Sequence, residues 1–136
     1  MGYREMGNKY YYEKKYDKAI ENYKKALKEK ENQNDGVKLT IWYNMIACYI
    51  GKENFSTAIF LCTKVEKDII KNIEIDKDNK QLMKLLSNLY FNKAFSYLKI
   101  NEERKALMYF NRADSFYYDG TTDKVLPVLI KNISKN

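Results

Sequence analysis

The chain has 136 residues, with 25 Lys plus Arg against 18 Asp plus Glu, no His, and a formal net charge of +7. That length suits one domain that buries its own core without staples, and the missing His removes the commonest general base and metal ligand. The two Cys, Cys48 and Cys62, are too few and too far apart for a zinc motif, so they read as reduced, inert thiols in packing positions, with no metal and no cofactor expected.

The basic excess favours acidic partners of any kind. Its Lys residues are scattered along helical stretches and interleaved with acids, as Lys24 and Lys25 are with Glu21 and Glu29, which is the pattern of a solvated helix face. Nucleic-acid binding needs basic residues gathered on one face, often with exposed stacking aromatics. Most aromatics here fall in packing positions, so no nucleic acid is expected. No apolar run is long enough to span a bilayer, and Met1-Gly2-Tyr3-Arg4 has no apolar signal core. Met6 stands where a myristoylation motif wants Ser or Thr. The expectation is a cytoplasmic chain without a membrane partner, monomeric, whose helical pattern begins almost at residue 1, as in a segment of a longer protein.

One Pro and five Gly in this length favour long helices over a turn-rich sheet. The first pair of helices is predicted from Gly2 to Lys14 and from Asp17 to Glu31, with the Asp17 carboxylate capping the second. Ile20, Tyr23 and Leu27 share one broad face with Ala19 and Ala26. Asn32-Gln33-Asn34-Asp35-Gly36 reads as a loop. A second pair starts near Val37, with Trp42, Met45, Tyr49, Phe55, Ala58 and Val65 in its packing positions and Gly51-Lys52-Glu53-Asn54 as its tight turn.

A third pair supplies Tyr90, Ala94, Tyr97, Ala106, Phe110 and Ala113 around the turn Ile100-Asn101-Glu102. It is the most degenerate, with Glu103 in an aromatic slot and Lys93 in a large apolar one. The anchor alanines Ala19, Ala58 and Ala106 are 39 and 48 positions apart, so the second gap carries the larger insertion. Ile69, Ile70, Ile73 and Ile75, then Leu82, Leu85, Leu86 and Leu89, predict an extended helical insertion over about residues 66–86 that forms an antiparallel hairpin. Gly120 marks a helix end in left-handed conformation. Thr121, Thr122 or Asp123 then caps a final helix over about 121–134, which Pro127 either starts or kinks.

The first pair reads M-G-x-x-Y-x5-Y-x2-A-x3-Y-x2-A-L from Met6 to Leu27. This resembles the tetratricopeptide (TPR) repeat, whose period is 34 residues. The resemblance covers roughly residues 3–118, as repeats of about 3–34, 37–70 and 87–118 within a single domain over 1–136. It implies an all-α, right-handed helical solenoid of three helix-turn-helix repeats plus a C-terminal capping helix that covers the open apolar face.

The first helix of each pair should line a concave groove. Its candidate peptide-binding residues are Arg4, Asn8, Tyr11, Tyr12, Tyr43, Asn44, Ala47, Asn88, Phe91, Asn92 and Phe95, with Lys99 nearby. Arg4-Glu5-Met6-Gly7-Asn8 resembles the K-E-x-G-N opening of the TPR domains of Hsp90 and Hsp70 co-chaperones and immunophilins. In those a carboxylate clamp grips a chaperone tail ending in EEVD. Arg4, Asn8 and Asn44 match clamp positions, and Ala47 matches the small groove residue. Asn88 and Asn92 stand where the clamp has Lys and Arg, and Lys93 should point off the groove.

No catalytic arrangement is present: there is no Gly-rich phosphate loop, no His, and no Ser or Cys beside a base. The chain is therefore expected to be a non-enzymatic protein-protein interaction module for an extended peptide, most concretely the C-terminal tail of Hsp90 or Hsp70. The alternative is a structural scaffold or assembly subunit that uses the apolar extension from about Ile69 to Leu89.

Overall fold

A computed structural model describes residues 1–135. They form seven α-helices and no strand: α1 (Tyr3–Tyr12), α2 (Tyr16–Ala26), α3 (Asp35–Gly51), α4 (Phe55–Asp68), α5 (Lys80–Lys99), α6 (Glu103–Phe116) and α7 (Val125–Ser134). The order is three helix pairs and a final single helix. The chain divides into two compact units, Met1–Glu74 and a second that begins at Ile75.

The turn inside each pair is built the same way. Lys14, Glu53 and Asn101 take left-handed backbone, with φ of 60°, 61° and 65°. The next N–H in each case (Lys15, Asn54, Glu102) bonds back to the carbonyl of Tyr10, Tyr49 or Tyr97 at 2.9, 2.8 and 2.9 Å. This closes off helix-end carbonyls in the manner of a Schellman turn. Three equivalent tyrosines thus mark one turn repeated three times.

In the first unit, α2 lays Ala19, Ile20, Tyr23 and Ala26 against Ile41, Met45 and Cys48 of α3. Alanines permit close approach and Tyr23 fills the space between crossings. Gly7 is needed there, since a Cβ at that position would stand 2.6 Å from Cε1 of Tyr23. Gly51 likewise lies against the Tyr16 ring. α4 closes the unit against α3 with Ala58, Cys62 and Val65 buried.

Several helix ends differ from the sequence expectation. Asp17 does not cap α2: it lies inside the first turn, and its carboxylate pairs instead with Lys52 Nζ at 2.5 Å. α2 ends at Ala26 rather than Glu31 because side-chain amides satisfy its last carbonyls. Asn32 Nδ2 donates to Ala26 O at 3.0 Å, and Gln33 Nε2 donates to Leu27 O at 2.9 Å and Glu29 O at 2.8 Å. Asn34 then caps α3, which starts within the expected loop, by accepting from the N–H groups of Gly36 and Val37.

The extended helical insertion over about 66–86 is also not continuous. α4 stops at Asp68, a single 3-10 turn covers Ile70–Asn72, and no helix resumes before Lys80. Apolar spacing carried the expectation through Ile75, but Asp76 and Asn79 favour local bonds over helix. Asp76 Oδ1 accepts from Asp78 N at 2.9 Å, and Asn79 Oδ1 caps α5 through Leu82 N at 3.1 Å.

In the second unit, Ala94 of α5, Ala106 and Phe110 of α6 and Leu129 of α7 form the core, flanked by Val125, Leu126 and Ile133. α7 therefore covers the apolar face of α6. Pro127 does not start it: the helix begins at Val125, and Pro127 is its third residue, within the first turn, whose N–H groups have no helical acceptor. The threonine and aspartate caps expected for α7 are not made. Thr122 Oγ1 donates to Asp114 at 2.6 Å, and the first turn of α7 hangs from the Thr122 carbonyl. Gly120 has the expected left-handed φ of 84°.

Candidate functional site

α1 and α3 pack in contact in the first unit. Between them lies an amide pair: Asn8 Oδ1 accepts from the Tyr23 hydroxyl at 2.6 Å and from Asn44 Nδ2 at 3.3 Å. With two donors already on its carbonyl oxygen, the Asn8 side chain has the two N–H donors of its amide nitrogen left to offer. A neutral carboxamide is thereby turned into a fixed hydrogen-bond donor.

Arg4, one turn before Asn8 on α1, is half-buried and lies within electrostatic reach of the Tyr23 hydroxyl. Among the described residues it has no acidic partner. Glu5 is occupied elsewhere, accepting from Gly2 N–H at 3.4 Å at the start of α1. A guanidinium and an oriented amide on one helix face present donors and no acceptor, which suits a carboxylate.

The aromatic candidates take different parts. Tyr11 packs beside the core and meets Tyr12 edge-on at 5.7 Å and Tyr16 at 6.1 Å. Its phenol is pushed above the usual range by burial, with Tyr43, Cys48, Tyr16 and Tyr12 adding to the effect. Burial raises the Tyr23 phenol further, and Cys48 contributes, so both rings stay neutral and Tyr23 keeps the proton it donates to Asn8. Tyr12 is 83% exposed. Tyr43, Asn44 and Ala47 are half-buried on α3, with Ala47 one turn beyond Asn44.

The first unit thus gathers Arg4, Asn8, Tyr11, Tyr12, Tyr43 and Asn44. Asn88, Phe91, Asn92 and Phe95 lie on α5 in the second unit, at spacings that share one helix face. Asn88 is exposed and Asn92 half-buried. Phe91 packs on the core, meeting Phe110 edge-on at 5.3 Å. Lys99 Nζ stands 5.4 Å from the Phe95 ring centre. Lys93 is 2% exposed and directs its ammonium to 4.1 Å from the Tyr109 ring centre. An apolar packing slot accepts this lysine because its stem is hydrocarbon and the ring face attracts the cation.

Tyr23 joins the candidate site through its bond to Asn8, a part that the sequence pattern, in which it is a packing residue, does not reveal. The one signal for more is a hydroxyl where Phe would fill the slot equally well. Cys48 and Cys62 are both buried, and burial pushes the Cys48 thiol up to about 12, which makes it a poor nucleophile. Among the described residues no three His, Cys, Asp or Glu side chains are grouped to hold a metal. No helix among them is long and apolar enough to cross a membrane.

Paired helices with small residues buried at their crossings define a helical repeat domain. The family model of the tetratricopeptide repeat matches residues 1–33. Those residues are a TPR repeat, and the chain over nearly its whole length has the fold of TPR domains. The TPR2AB domain of yeast Sti1, in a structure described as a pHSP90 complex, superposes with a TM-score of 0.74 over 98% of this chain at 20% identity. The N-terminal domain of stress-induced protein-1 (STI-1) from C. elegans gives 0.68 over 98% at 22% identity. The chain covers 46% of the first and 90% of the second. Protein unc-45 homolog B of Danio rerio is 36% identical over 61 residues, which is 45% of this chain and 6% of that protein. The chain thus spans less than half of the yeast structure and a small part of the zebrafish protein.

Proposed function

We propose that this chain is a non-enzymatic interaction module that holds an extended acidic peptide through the α1–α3 face. Arg4 and the Asn8 amide take a carboxylate, Asn44 holds Asn8 in register, and Tyr11, Tyr12, Tyr43 and Ala47 line the adjoining surface. In the second unit, Asn88, Phe91, Asn92 and Phe95 of α5 are separate candidate peptide contacts, made through neutral groups. In its most concrete form the ligand is the acidic C-terminal tail of an Hsp90- or Hsp70-type chaperone, and the module works as a co-chaperone in the cytoplasm.

The observation that carries this reading is the half-buried Arg4 without an acidic partner beside an Asn8 whose carbonyl is already doubly occupied. The likeness in fold to a domain described in complex with pHSP90 supports the ligand class. The test is a calorimetric titration with a peptide ending in EEVD, beside the same peptide amidated at its C-terminus. Binding in the range of about 1 μM to 1 mM that weakens with salt and vanishes on amidation is expected. Arg4→Ala and Asn8→Ala should abolish it with helical content intact, and unchanged affinity in those variants would exclude the carboxylate grip.

A further inference from the structure

We infer that the first unit carries a second site, on the opposite side of α3, that takes one apolar side chain of an acidic peptide segment. A cavity of about 250 Å³ opens there between the end of α2, the first half of α3 and the end of α4. Leu27, Trp42, Val65 and Ile69 give it apolar walls, and Lys38 and Lys64 bring two ammonium groups. Trp42 precedes Asn44 by two residues, which is about 200° around a helix of 3.6 residues per turn. The cavity therefore faces away from the Asn8–Asn44 pair.

Its size, walls and charge select the occupant. A volume of about 250 Å³ lies just under the ~300 Å³ lower end of small-molecule pockets, so it suits a single anchoring side chain. One wall is already rigid, because Gln33 spends its amide nitrogen on two backbone carbonyls at the end of α2. Lys64 Nζ lies 6.0 Å from the Trp42 ring centre, so the cation and the indole are held together. Lys38 is half-buried and has no ion pair among the described residues, and Asp68 is the one carboxylate in the lining.

Two cations against one carboxylate favour an anionic flank. Aliphatic walls around a half-buried indole favour a Phe or Leu side chain over a stacked base. Asp68 also disfavours the denser charge of a phosphate chain. The fitting partner is a protein segment in which an apolar residue stands between glutamates or aspartates.

Trp42 is the only Trp in the chain, so its fluorescence reports this cavity directly. The probe is a peptide blocked at both ends, with one Phe flanked on each side by two Glu. Blocking removes the terminal carboxylate on which the Arg4 and Asn8 reading depends, so the two readings fail separately. Expected is a saturable change in Trp emission that weakens with salt and disappears when Phe is replaced by Ala in the peptide. The double variant Lys38→Gln, Lys64→Gln should lower affinity about tenfold or more with an unchanged thermal midpoint. Asp68→Asn should raise it, and Arg4→Ala should leave it as it was. No emission change, an equal response to the Ala peptide or to oligothymidylate, or an equal affinity in the double lysine variant would overturn the assignment.

Discussion

The hydroxyl of Tyr23 on α2 donates to Asn8 Oδ1 on α1 at 2.6 Å, so a core-filling ring also sets the orientation of a surface amide. The ring is fully buried and its tip reaches the edge of the candidate site. Packing in the first helix pair and the chemistry of the α1–α3 face therefore share one side chain. Tyr23→Phe keeps the ring volume and removes only the donor. Stability should fall by about 1 kcal/mol, the net worth of one ordinary hydrogen bond. Peptide affinity should fall as well, since Asn8 is then held by Asn44 alone at 3.3 Å. Urea unfolding measures the first effect and calorimetry the second. Unchanged stability together with unchanged affinity would mean that the hydrogen bond is not formed in solution.

Gly7 offers a test of the helix crossing itself. Its missing Cβ is the space that the Tyr23 ring occupies, and a methyl group there would stand 2.6 Å from ring carbon Cε1. Ala is a better helix former than Gly, so local propensity alone predicts a gain near 1 kcal/mol. Overpacking a tight core costs about 1–3 kcal/mol, and Tyr23 has no room to retreat. Gly7→Ala should therefore be destabilising on balance in a denaturant titration. A raised midpoint would show that the two helices stand further apart than described.

Alkaline pH should destabilise the chain. Cys48 is held up to about 12 against an ordinary value of 9.0, and burial also raises the Tyr23 and Tyr11 phenols. A group whose folded pKa is raised binds its proton more tightly in the native state. For Cys48, that contribution is complete below pH about 9 and drains away as pH rises toward about 12, because the unfolded chain releases the thiol proton first. Urea midpoints should stay level up to pH about 9 and then decline. Cys48→Ala should flatten the thiol's part of the decline. A midpoint that rises above pH about 9 would contradict the burial of these groups.

Periodicity and residue size made much of this architecture legible. Ala19, Ala26, Ala58, Ala94, Ala106 and Ala113 are all buried where spacing put them, and Tyr23 and Phe110 fill the gaps between crossings. Helix ends were less legible, because competing local bonds decide them. Apolar spacing alone would carry α2 to Glu31 and α4 to Ile75, yet the amides of Asn32 and Gln33 stop the first and no helix continues past Asp68. Lys93 broke the pattern on paper and not in space, since its charge rests on the Tyr109 ring.

The sequence by itself determined three helix pairs with a terminal helix, and placed Arg4 and Asn8 one turn apart on the first of them, because a 3.6-residue period and the alternation of small and large side chains are local properties. Only the tertiary structure decided what Asn8 does. Its two partners lie 15 and 36 residues away in the chain, and only helix packing brings Tyr23 and Asn44 to one carbonyl oxygen. The same holds for the Trp42 cavity, whose walls come from three helices that approach one another only on folding. Side-chain direction and hydrogen-bond partnership depend on distances across the packed chain, which no local pattern encodes.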